Sequence, residues 1–230
     1  MRAMILAAGL GTRMRPLTDC CPKPLLPVAG KPLVVHHIER LAEAGITDII
    51  INVSHLGEQI TAALGDGSRW GVAITFCREA EPLETAGGIV NALPWLADDD
   101  DRPFLLLNGD IWCDYPLAEL PQSPDGYAHL VLVDNPDHNP SGDFSLVGAL
   151  DGNNRGLSAL SLSGELLTFS GISLLRPSLF SACVAGKQPL APLLRSAIEQ
   201  GQASGEHYRG YWIDVGTPAR LAELEQYLNS

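Results

Sequence analysis

Two glycines and two cationic side chains near the N-terminus have the types and spacing of a phosphate-binding site. Gly9 and Gly11 follow the apolar residues 4–6, Arg13 comes shortly after, and Lys23 stands between two prolines. Glycine lacks a Cβ, so its backbone can take positive φ angles and bring N–H groups close to an anion. Guanidinium and ammonium groups add charged donors for the same oxygens. The segment therefore predicts a polyphosphate site, since a simple turn would need neither cation.

Two aspartates that are far apart in the chain could hold a metal ion beside that phosphate. Asp110 follows a predicted strand over residues 104–107, and Asp214 follows a predicted strand over residues 208–213. Open α/β folds place ligands at the carboxyl ends of their strands, where the Arg13 loop also emerges. Mg²⁺ commonly takes one or two carboxylates together with waters and phosphate oxygens. We therefore expect Asp110 and Asp214 to share a Mg²⁺ ion.

The N-terminal segment also carries a long motif. Residues 6–18 read LAAGLGTRMRPLT, and residues 22–24 read PKP. The segment lacks G-x-G-x-x-G and G-x-x-x-x-G-K-S/T, so it disfavours a dinucleotide enzyme and a P-loop ATPase. It resembles the opening motif of the sugar-1-phosphate nucleotidyltransferases, L-A-A-G-x-G-T-R-L-x-P-L-T followed by P-K-P. Two further family motifs occur, NGD at residues 108–110 and GYWIDVGTP at residues 210–218.

The resemblance implies roles for individual residues. Arg13 and Lys23 are the expected catalytic residues, and Asp110 and Asp214 are the expected Mg²⁺ ligands. The nucleotide is expected to contact Ala7, Ala8, Gly9, Gly11, Thr12, Arg13, Lys23, Glu79, Glu84, Ala86 and Asn108. The substrates that the resemblance implies are UTP and a sugar 1-phosphate.

A second element resembles the part of the family that approaches the nucleobase, E-P-L-G-T-A-G. Here residues 81–88 read EPLETAGG, so Glu84 stands where relatives have glycine. Glu79 lies where relatives often have a base-reading Gln or Glu. A carboxylate can accept from N3–H of uracil or thymine, and equally from N1–H and the amino group of guanine. Glu79 alone therefore leaves the base open.

Four residues are expected to contact the sugar. The resemblance assigns this role to Asn108 and to Gly148, which matches the family's sugar-contacting glycine. Asp143 and Glu165 are further candidates in the same part of the chain.

The predicted sugar pocket departs from the family pattern. Many relatives carry an E-K-P motif whose lysine meets the sugar phosphate, but residues 157–169 contain none. Arg155, Arg209 or the metal would have to compensate. We therefore expect a modified sugar pocket.

The reaction that the resemblance implies needs no general base. The phosphate of a sugar 1-phosphate is already largely ionised near neutral pH, because its second pKa is about 6. Catalysis then consists of aligning two anions and stabilising charge on the departing pyrophosphate. The sequence shows no obvious Ser-His-Asp or Cys-His set, which agrees with this chemistry.

Composition limits the class of protein. The formal net charge of −12 and the sequence pI near 4.8 argue against nucleic-acid binding, which usually requires a basic surface. Five cysteines without a C-x-x-C pair suggest reduced thiols, so we expect a cytoplasmic protein. We expect no signal peptide, no membrane contact and a monomer, although the sequence does not determine the oligomeric state.

The order of apolar segments predicts the fold. Strands are expected at residues 4–6, 49–53, 72–77 and 104–107, with helices at 33–44, 57–64 and 85–96 between them. This alternation specifies an α/β fold with a doubly wound, mostly parallel, Rossmann-like sheet.

The second half of the chain has a different texture. Short strands are expected at residues 128–133, 144–150, 166–175 and 208–213, with helices at 190–200 and 218–228. We expect residues 118–175 to form a small, partly antiparallel lid insertion that binds the sugar. The whole chain, residues 1–230, is then one nucleotidyltransferase domain.

Within the family, the resemblance is strongest to short members that transfer uridylyl groups to an amino-sugar 1-phosphate in cell-wall recycling. Two enzyme alternatives are guanylyl transfer to mannose 1-phosphate and thymidylyl transfer to glucose 1-phosphate. A third alternative is a catalytically silent sensor of sugar nucleotides.

Overall fold

A nine-stranded mixed sheet forms the centre of the molecule in a computed structural model that describes residues 1–147 and 158–230. In spatial order its strands are β5 (Ala73–Arg78), β4 (Asp48–Val53), β1 (Arg2–Leu6), β6 (Phe104–Asn108), β11 (Thr168–Leu175), β8 (Ala128–Val133), β12 (Ala203–His207), β10 (Ser158–Ser161) and β9 (Ser145–Val147). Two short ribbons accompany it: β2 (Pro27–Val28) with β3 (Lys31–Pro32), and β7 (Ile111–Cys113) with β13 (Trp212–Asp214). The helices are α1 (Leu33–Glu43), α2 (Gly57–Leu64), α3 (Glu84–Leu96), α4 (Ala191–Glu199) and α5 (Pro218–Leu228).

The N-terminal half confirms the α/β prediction. Strand β1 lies parallel to β4 on one side and to β6 on the other, and β5 continues the parallel part beyond β4. The register places Leu6 opposite both Asn52 and Asn108. Because these residues end three neighbouring parallel strands, the loops that follow them emerge at one edge of the sheet.

The other strands extend this sheet in mixed directions. Strand β11 is antiparallel to β6 and β8, β12 is parallel to β8, and β10 is antiparallel to β12 and β9. The predicted antiparallel region within residues 118–175 is therefore present. Its strands β8 and β11 are part of the main sheet, where β11 directly adjoins β6.

The predicted strand at residues 208–213 is wrong in its bounds. The structure instead has β12 before this range and β13 at its end. Strand β12 has the sequence ASGEH, so it lacks the alternation of large apolar residues that would predict a strand. Its small residues have a packing reason, because a Cβ on Gly205 would lie 2.9 Å from the carbonyl oxygen of Leu130 on β8.

Hydrophobic cores cover both faces of the sheet. Helices α1 and α2 pack on one face, and α3 and α4 pack on the other. Met4 and Ile5 on β1 point to opposite cores, as expected for successive residues of a strand. No helix among the described residues has both the length and the apolar character that a membrane crossing requires.

A third, smaller core fixes the N-terminal loop to the C-terminal part of the chain. It contains Met14, Trp112 from β7, Ile213 from β13 and Leu224 from α5. Met14 is completely buried there. The loop that carries Arg13 is therefore anchored beside the ribbon that ends in Asp214 and directly follows Asp110.

Candidate active site

A cavity of about 430 Å³ opens at the carboxyl edge of the parallel strands. Its walls include these predicted residues: Ala7, Ala8, Gly9, Gly11, Thr12, Arg13, Lys23, Glu79, Glu84, Asn108 and Asp110. The structure thus brings residues from three distant parts of the sequence into one space. That each of them binds a nucleotide stays a prediction.

In the loop that follows β1, the backbone conformation requires glycine at one position, Gly11. Gly11 has a φ of 62°, and a Cβ there would lie 3.0 Å from Thr18 Cγ2 and 3.2 Å from Lys23 Cβ. Its carbonyl oxygen accepts from Thr18 Oγ1 at 2.8 Å and from the Met14 N–H at 2.9 Å. Gly9 has no positive φ, and the space around its Cα is open. The backbone conformation therefore does not require glycine at position 9, and the open space there leaves room for a ligand.

Lys23 reaches the first predicted metal ligand. Its Nζ lies 2.7 Å from Asp110 Oδ2, and only 11% of its side chain is exposed, compared with 42% for Asp110. Lys23 begins a single turn of 3₁₀ helix, Lys23–Leu25, and its neighbouring prolines restrict the backbone there. The ammonium group is thus held at the cavity wall beside a carboxylate that remains accessible.

Backbone pairing places Asp214 beside Asp110. In the ribbon of β7 and β13, Asp214 lies opposite Ile111. The Val215 N–H then donates to the carbonyl oxygen of Asp110 over 2.6 Å. The two aspartates, 104 positions apart in the chain (214 − 110), are therefore adjacent in space.

Two cationic or polar groups accompany the Asp214 carboxylate. Arg220 Nη2 donates to its Oδ2 at 2.9 Å. His138 Nε2 lies 2.9 Å from Asp214 Oδ1, but these two atoms do not form a hydrogen bond. Arg13 lies close by as well, because a Cβ on the cavity residue Gly216 would be 3.2 Å from Arg13 Nη2 and 2.8 Å from Asp214 Oδ2.

These carboxylates fit a hard divalent cation. The described residues include no group of three or more His, Cys, Asp or Glu side chains that could hold a metal by themselves. Asp110 and Asp214 would supply two oxygen donors, and waters and substrate phosphates would complete the coordination, as is usual for Mg²⁺. Lys23 and Arg220 balance the two negative charges here, so a cation would share or take over these carboxylates.

Glu79 lies at another wall of the cavity, buried and fixed at both oxygens. Its Oε1 accepts from Asn52 Nδ2 at 2.7 Å, and its Oε2 accepts from the Leu83 N–H at 3.0 Å. Only 6% of Glu79 is exposed. Burial, and to a smaller extent the Glu79 charge, raises the pKa of the Cys77 thiol to about 11, so Cys77 adds no charge here.

Of the two remaining residues predicted to bind the nucleotide, Asn108 lines the cavity and Ala86 does not. Asn108 ends β6 at the cavity, and its side chain lies against Gly171, where a Cβ would be 2.7 Å from Asn108 Nδ2. Gly171 has a φ of 85°, at a register shift in β11 that makes this room. Ala86 is fully buried in the first turn of α3, and its N–H donates to the Gln188 carbonyl oxygen at 2.9 Å. The structure therefore does not bring Ala86 into the cavity wall.

Two of the other predicted sugar-binding residues, Asp143 and Glu165, lie away from these walls. Asp143 Oδ2 accepts from the Phe169 N–H at 2.9 Å and from Asn139 Nδ2 at 3.2 Å, which ties a loop to β11. Glu165 is exposed. Gly148 lies outside the described residues. The sugar assignments stay predictions.

Comparison with known proteins decides the family. A nucleotidyl transferase family model matches residues 2–153. The chain is 49% identical over 232 aligned residues to the N-acetylmuramate alpha-1-phosphate uridylyltransferase of Neisseria meningitidis serogroup B, covering 98% of this chain and 97% of that protein. The chain belongs to the nucleotidyl transferase family.

One further relative and one structural neighbour of this nucleotidyltransferase have other named activities. The mannose-1-phosphate guanyltransferase of Candida albicans is 36% identical over 95% of this chain, which spans 62% of that protein. A crystal structure of a putative glucose-1-phosphate thymidylyltransferase from Bacillus anthracis superimposes with a TM-score of 0.82, covering 99% of this chain and 94% of that one. Its sequence is only 21% identical, so this similarity shows the fold alone.

Membership confirms the predicted enzyme class. This nucleotidyltransferase is an enzyme whose family acts on a nucleoside triphosphate and a sugar 1-phosphate and generally uses a divalent metal ion. The cavity has groups for that chemistry, with Arg13, Lys23 and Asp110 at one wall and Glu79 at another. Asp214 is not one of the lining residues, but it lies directly beside Asp110.

Glu84 has a left-handed backbone conformation, which glycine adopts without a steric penalty. It has a φ of 61°, is exposed and lines the cavity as the first residue of α3. Side chains with a Cβ pay roughly 1–2 kcal/mol in this left-handed conformation. The nucleotidyltransferase therefore carries backbone strain at this position.

Replacing Glu84 by glycine is expected to stabilise the enzyme. The Glu84→Gly variant removes the strained Cβ, and the greater freedom of glycine in the unfolded chain offsets part of the gain, so the free energy of unfolding should rise by about 0.5–1 kcal/mol. Denaturant unfolding measures this. Glu84→Ala is the matched control, because it removes the charge but keeps the Cβ. Equal stabilisation by both variants would mean that charge, rather than backbone strain, is responsible.

Asn52 is a cavity residue that the sequence analysis missed. It is buried at the end of β4, and its Oδ1 accepts from the Ala7 N–H at 2.7 Å. The Ala7 N–H is therefore taken, and a nucleotide would meet Ala7 through other atoms. The available signal was a single polar residue within the apolar run of residues 49–53.

Proposed function

We propose that this nucleotidyltransferase converts UTP and N-acetylmuramate 1-phosphate into UDP-N-acetylmuramate and pyrophosphate with Mg²⁺. The observation that carries the proposal is the 49% identity to the Neisseria uridylyltransferase over nearly the full length of both chains. The cavity supports the same reaction class, because it combines cations, the Asp110 carboxylate with Asp214 beside it, and a buried hydrogen-bond acceptor.

The distribution of charge in the cavity suggests how UTP lies in it. Arg13, Lys23 and the N–H groups of the glycine loop favour the triphosphate at one wall. Glu79 favours the uracil ring, because its carboxylate can accept from N3–H. Pro82 and Leu83 add apolar surface near that carboxylate for the face of a base.

The sugar phosphate supplies the nucleophile. One of its non-bridging oxygens forms a bond to the α-phosphorus of UTP, and the bond from that phosphorus to the α,β-bridging oxygen breaks, so pyrophosphate leaves with this oxygen. No proton needs to be removed, since the phosphate is already largely ionised near neutral pH. The chain's task is to align two anions that repel each other.

Arg13 and Lys23 are the residues that we assign to charge stabilisation. Both are positioned to offset negative charge that moves onto the leaving pyrophosphate. A Mg²⁺ ion held by Asp110 and Asp214 would supply further neutralisation of the phosphate oxygens. Lys23 then has two roles, because it also orients Asp110 at 2.7 Å.

The buried His37 is poorly suited to act as a general base. Burial, and next the charge of Arg40, lowers the pKa of His37 to about 3, so its imidazole is a weak base near neutral pH. It lies in α1, outside the cavity walls.

A guanylyltransferase that uses mannose 1-phosphate is the second candidate. Its support is the 36% identity to the Candida enzyme and the ability of Glu79 to accept from N1–H of guanine.

Within the cell we place the reaction in the cytoplasm, because all five cysteines are free.

Pyrophosphate release tests the proposal. Purified enzyme is given each of UTP, CTP, GTP, ATP and dTTP with each of N-acetylmuramate, N-acetylglucosamine, glucose and mannose 1-phosphate, with Mg²⁺ and with chelator. We expect Mg²⁺-dependent turnover with UTP and N-acetylmuramate 1-phosphate. Preference for GTP and mannose 1-phosphate would favour the second candidate, and no turnover with any pair would favour a silent sensor.

A further inference from the structure

We propose that Asn52 is the positioning residue of the base-binding wall, where it holds Glu79 so that the cavity accepts uracil and rejects cytosine. The inference rests on the proposed function in one respect, namely that a nucleotide base lies against Glu79. It adds a residue to which neither the family motifs nor the sequence analysis gave a role.

Asn52 joins three segments through one side chain. Its Oδ1 accepts from the Ala7 N–H at 2.7 Å, where the phosphate loop leaves β1. Its Nδ2 donates to Glu79 Oε1 at 2.7 Å, and Glu79 Oε2 accepts from the Leu83 N–H at the approach to α3. Only 3% of Asn52 is exposed, so water does not compete for these bonds. A 180° rotation of the amide would place its NH₂ group against the Ala7 N–H and its oxygen against Glu79 Oε1, so donor would face donor and acceptor would face acceptor.

The helix above this network leaves it no spare room. A Cβ on Gly88 in α3 would lie 2.7 Å from Glu79 Oε1 and 3.0 Å from Asn52 Nδ2. Gly88 has an ordinary helical backbone, so the reason for glycine here is the close approach of the Asn52–Glu79 pair. The pair is therefore confined from the side of the sheet and from the side of the helix.

The confined carboxylate is suited to read a ring N–H. A carboxylate has about four lone-pair sites, and Asn52 and Leu83 use one on each oxygen of Glu79. A remaining site can accept from N3–H of uracil. Cytosine has an unprotonated N3 at that position, so two acceptors would face each other and leave a buried group without a partner. If Glu79 lost its Asn52 contact, it could turn away and the discrimination would weaken.

Affinities for UTP and CTP in the presence of Mg²⁺, measured by calorimetry, test the inference. We expect wild-type enzyme to bind UTP more tightly than CTP. Asn52→Ala should lower the ratio of the two affinities by roughly tenfold to a hundredfold, as expected for loss of one buried polar contact. Glu79→Ala should lower it similarly, and the double variant should show no further loss, because Asn52 acts through Glu79.

Asn91→Ala is the matched control. Asn91 also ties α3 to β5, donating to Cys77 Sγ at 3.1 Å and to the Arg78 carbonyl oxygen at 3.3 Å, but it lies outside the cavity walls. It should keep the wild-type ratio. If Asn52→Ala does not fold, Gly88→Ala carries the test, because it displaces the same pair with Asn52 still present.

The inference is overturned if Asn52→Ala and Gly88→Ala keep the wild-type ratio, if Asn52→Ala lowers it equally in the Glu79→Ala background, or if wild-type enzyme does not prefer UTP to CTP. Failure of the proposed function gives a different result. In that case wild-type enzyme still binds UTP selectively and the variants lose selectivity, but no sugar phosphate yields pyrophosphate.

Discussion

The Asp110→Asn enzyme is expected to lose about a thousandfold in kcat while it still binds nucleotide weakly. Asparagine keeps the shape of the side chain and an oxygen acceptor for Lys23, 2.7 Å away, but it removes the negative charge that would hold a divalent cation. The loss should therefore come with a raised Mg²⁺ requirement. Steady-state turnover over a range of Mg²⁺ concentrations, together with calorimetric nucleotide binding, measures both effects.

Asp114→Asn is the matched control for this prediction. Asp114 is an exposed carboxylate four positions further along the chain (114 − 110), and its Oδ1 accepts from the Tyr208 hydroxyl at 2.7 Å outside the cavity walls. Its variant should retain near wild-type turnover and Mg²⁺ dependence. Asp110→Asn turnover within tenfold of wild type would contradict the metal assignment.

Lys23→Met is expected to lower kcat by about a hundredfold to a thousandfold, with Mg²⁺ binding as strong as in wild type or stronger. The two effects separate because Lys23 has opposite influences on substrate and metal. Its ammonium attracts phosphate oxygens, but it also occupies Asp110 Oδ2 in place of a cation. A decrease in kcat without weaker Mg²⁺ binding would distinguish a catalytic lysine from one that only supports the metal site.

The chain offers a close control, since it has only three lysines. Lys31 forms an ion pair with Glu39 away from the cavity walls. Lys31→Met should therefore leave kcat and Mg²⁺ dependence unchanged. Equal losses in the two lysine variants would show that general charge, rather than the position of Lys23, is responsible.

The parts of the site that the sequence could predict are those with chemically distinctive residues at strand ends. Gly11, Arg13 and Lys23 lie in a motif, and Asp110 and Asp214 each follow a strand. The rule that parallel strands end at one edge then brings the loop and Asp110 together. The β7–β13 pairing, which sets Asp214 beside Asp110, required the structure, since Ile111–Cys113 is too short to show a periodic pattern.

Residues whose role depends on long-range contact were beyond sequence reasoning. Asn52 is one polar residue in an apolar strand, and only the register of β1 and β4 shows that it faces Ala7. The sequence shows that residue 88 is glycine, but only the structure shows that glycine is needed there because Glu79 lies so close to α3. Ala86 matched a motif letter, but the fold buries it.

Strand predictions failed where packing required small residues. Large apolar residues announce β1, β4 and β6, but β12 contains Ala203 and Gly205 because the backbone of β8 lies close to it. Strand β12 is therefore identified by its pairing with β8 and β10 in the structure, because its own composition does not predict a strand. Strands β8 and β11 are interior because β11 pairs with β6 and β8, and β8 pairs with β11 and β12, which their local sequence does not reveal.

The most direct test of the proposed reaction follows the oxygen atoms. N-acetylmuramate 1-phosphate labelled with ¹⁸O at its phosphate oxygens is incubated with UTP, Mg²⁺ and enzyme, and both products are analysed by mass spectrometry. Attack by the sugar phosphate on the α-phosphorus predicts that all label remains in UDP-N-acetylmuramate and that the pyrophosphate is unlabelled. Label in pyrophosphate, or pyrophosphate formed without a uridine diphosphate sugar, would contradict the account.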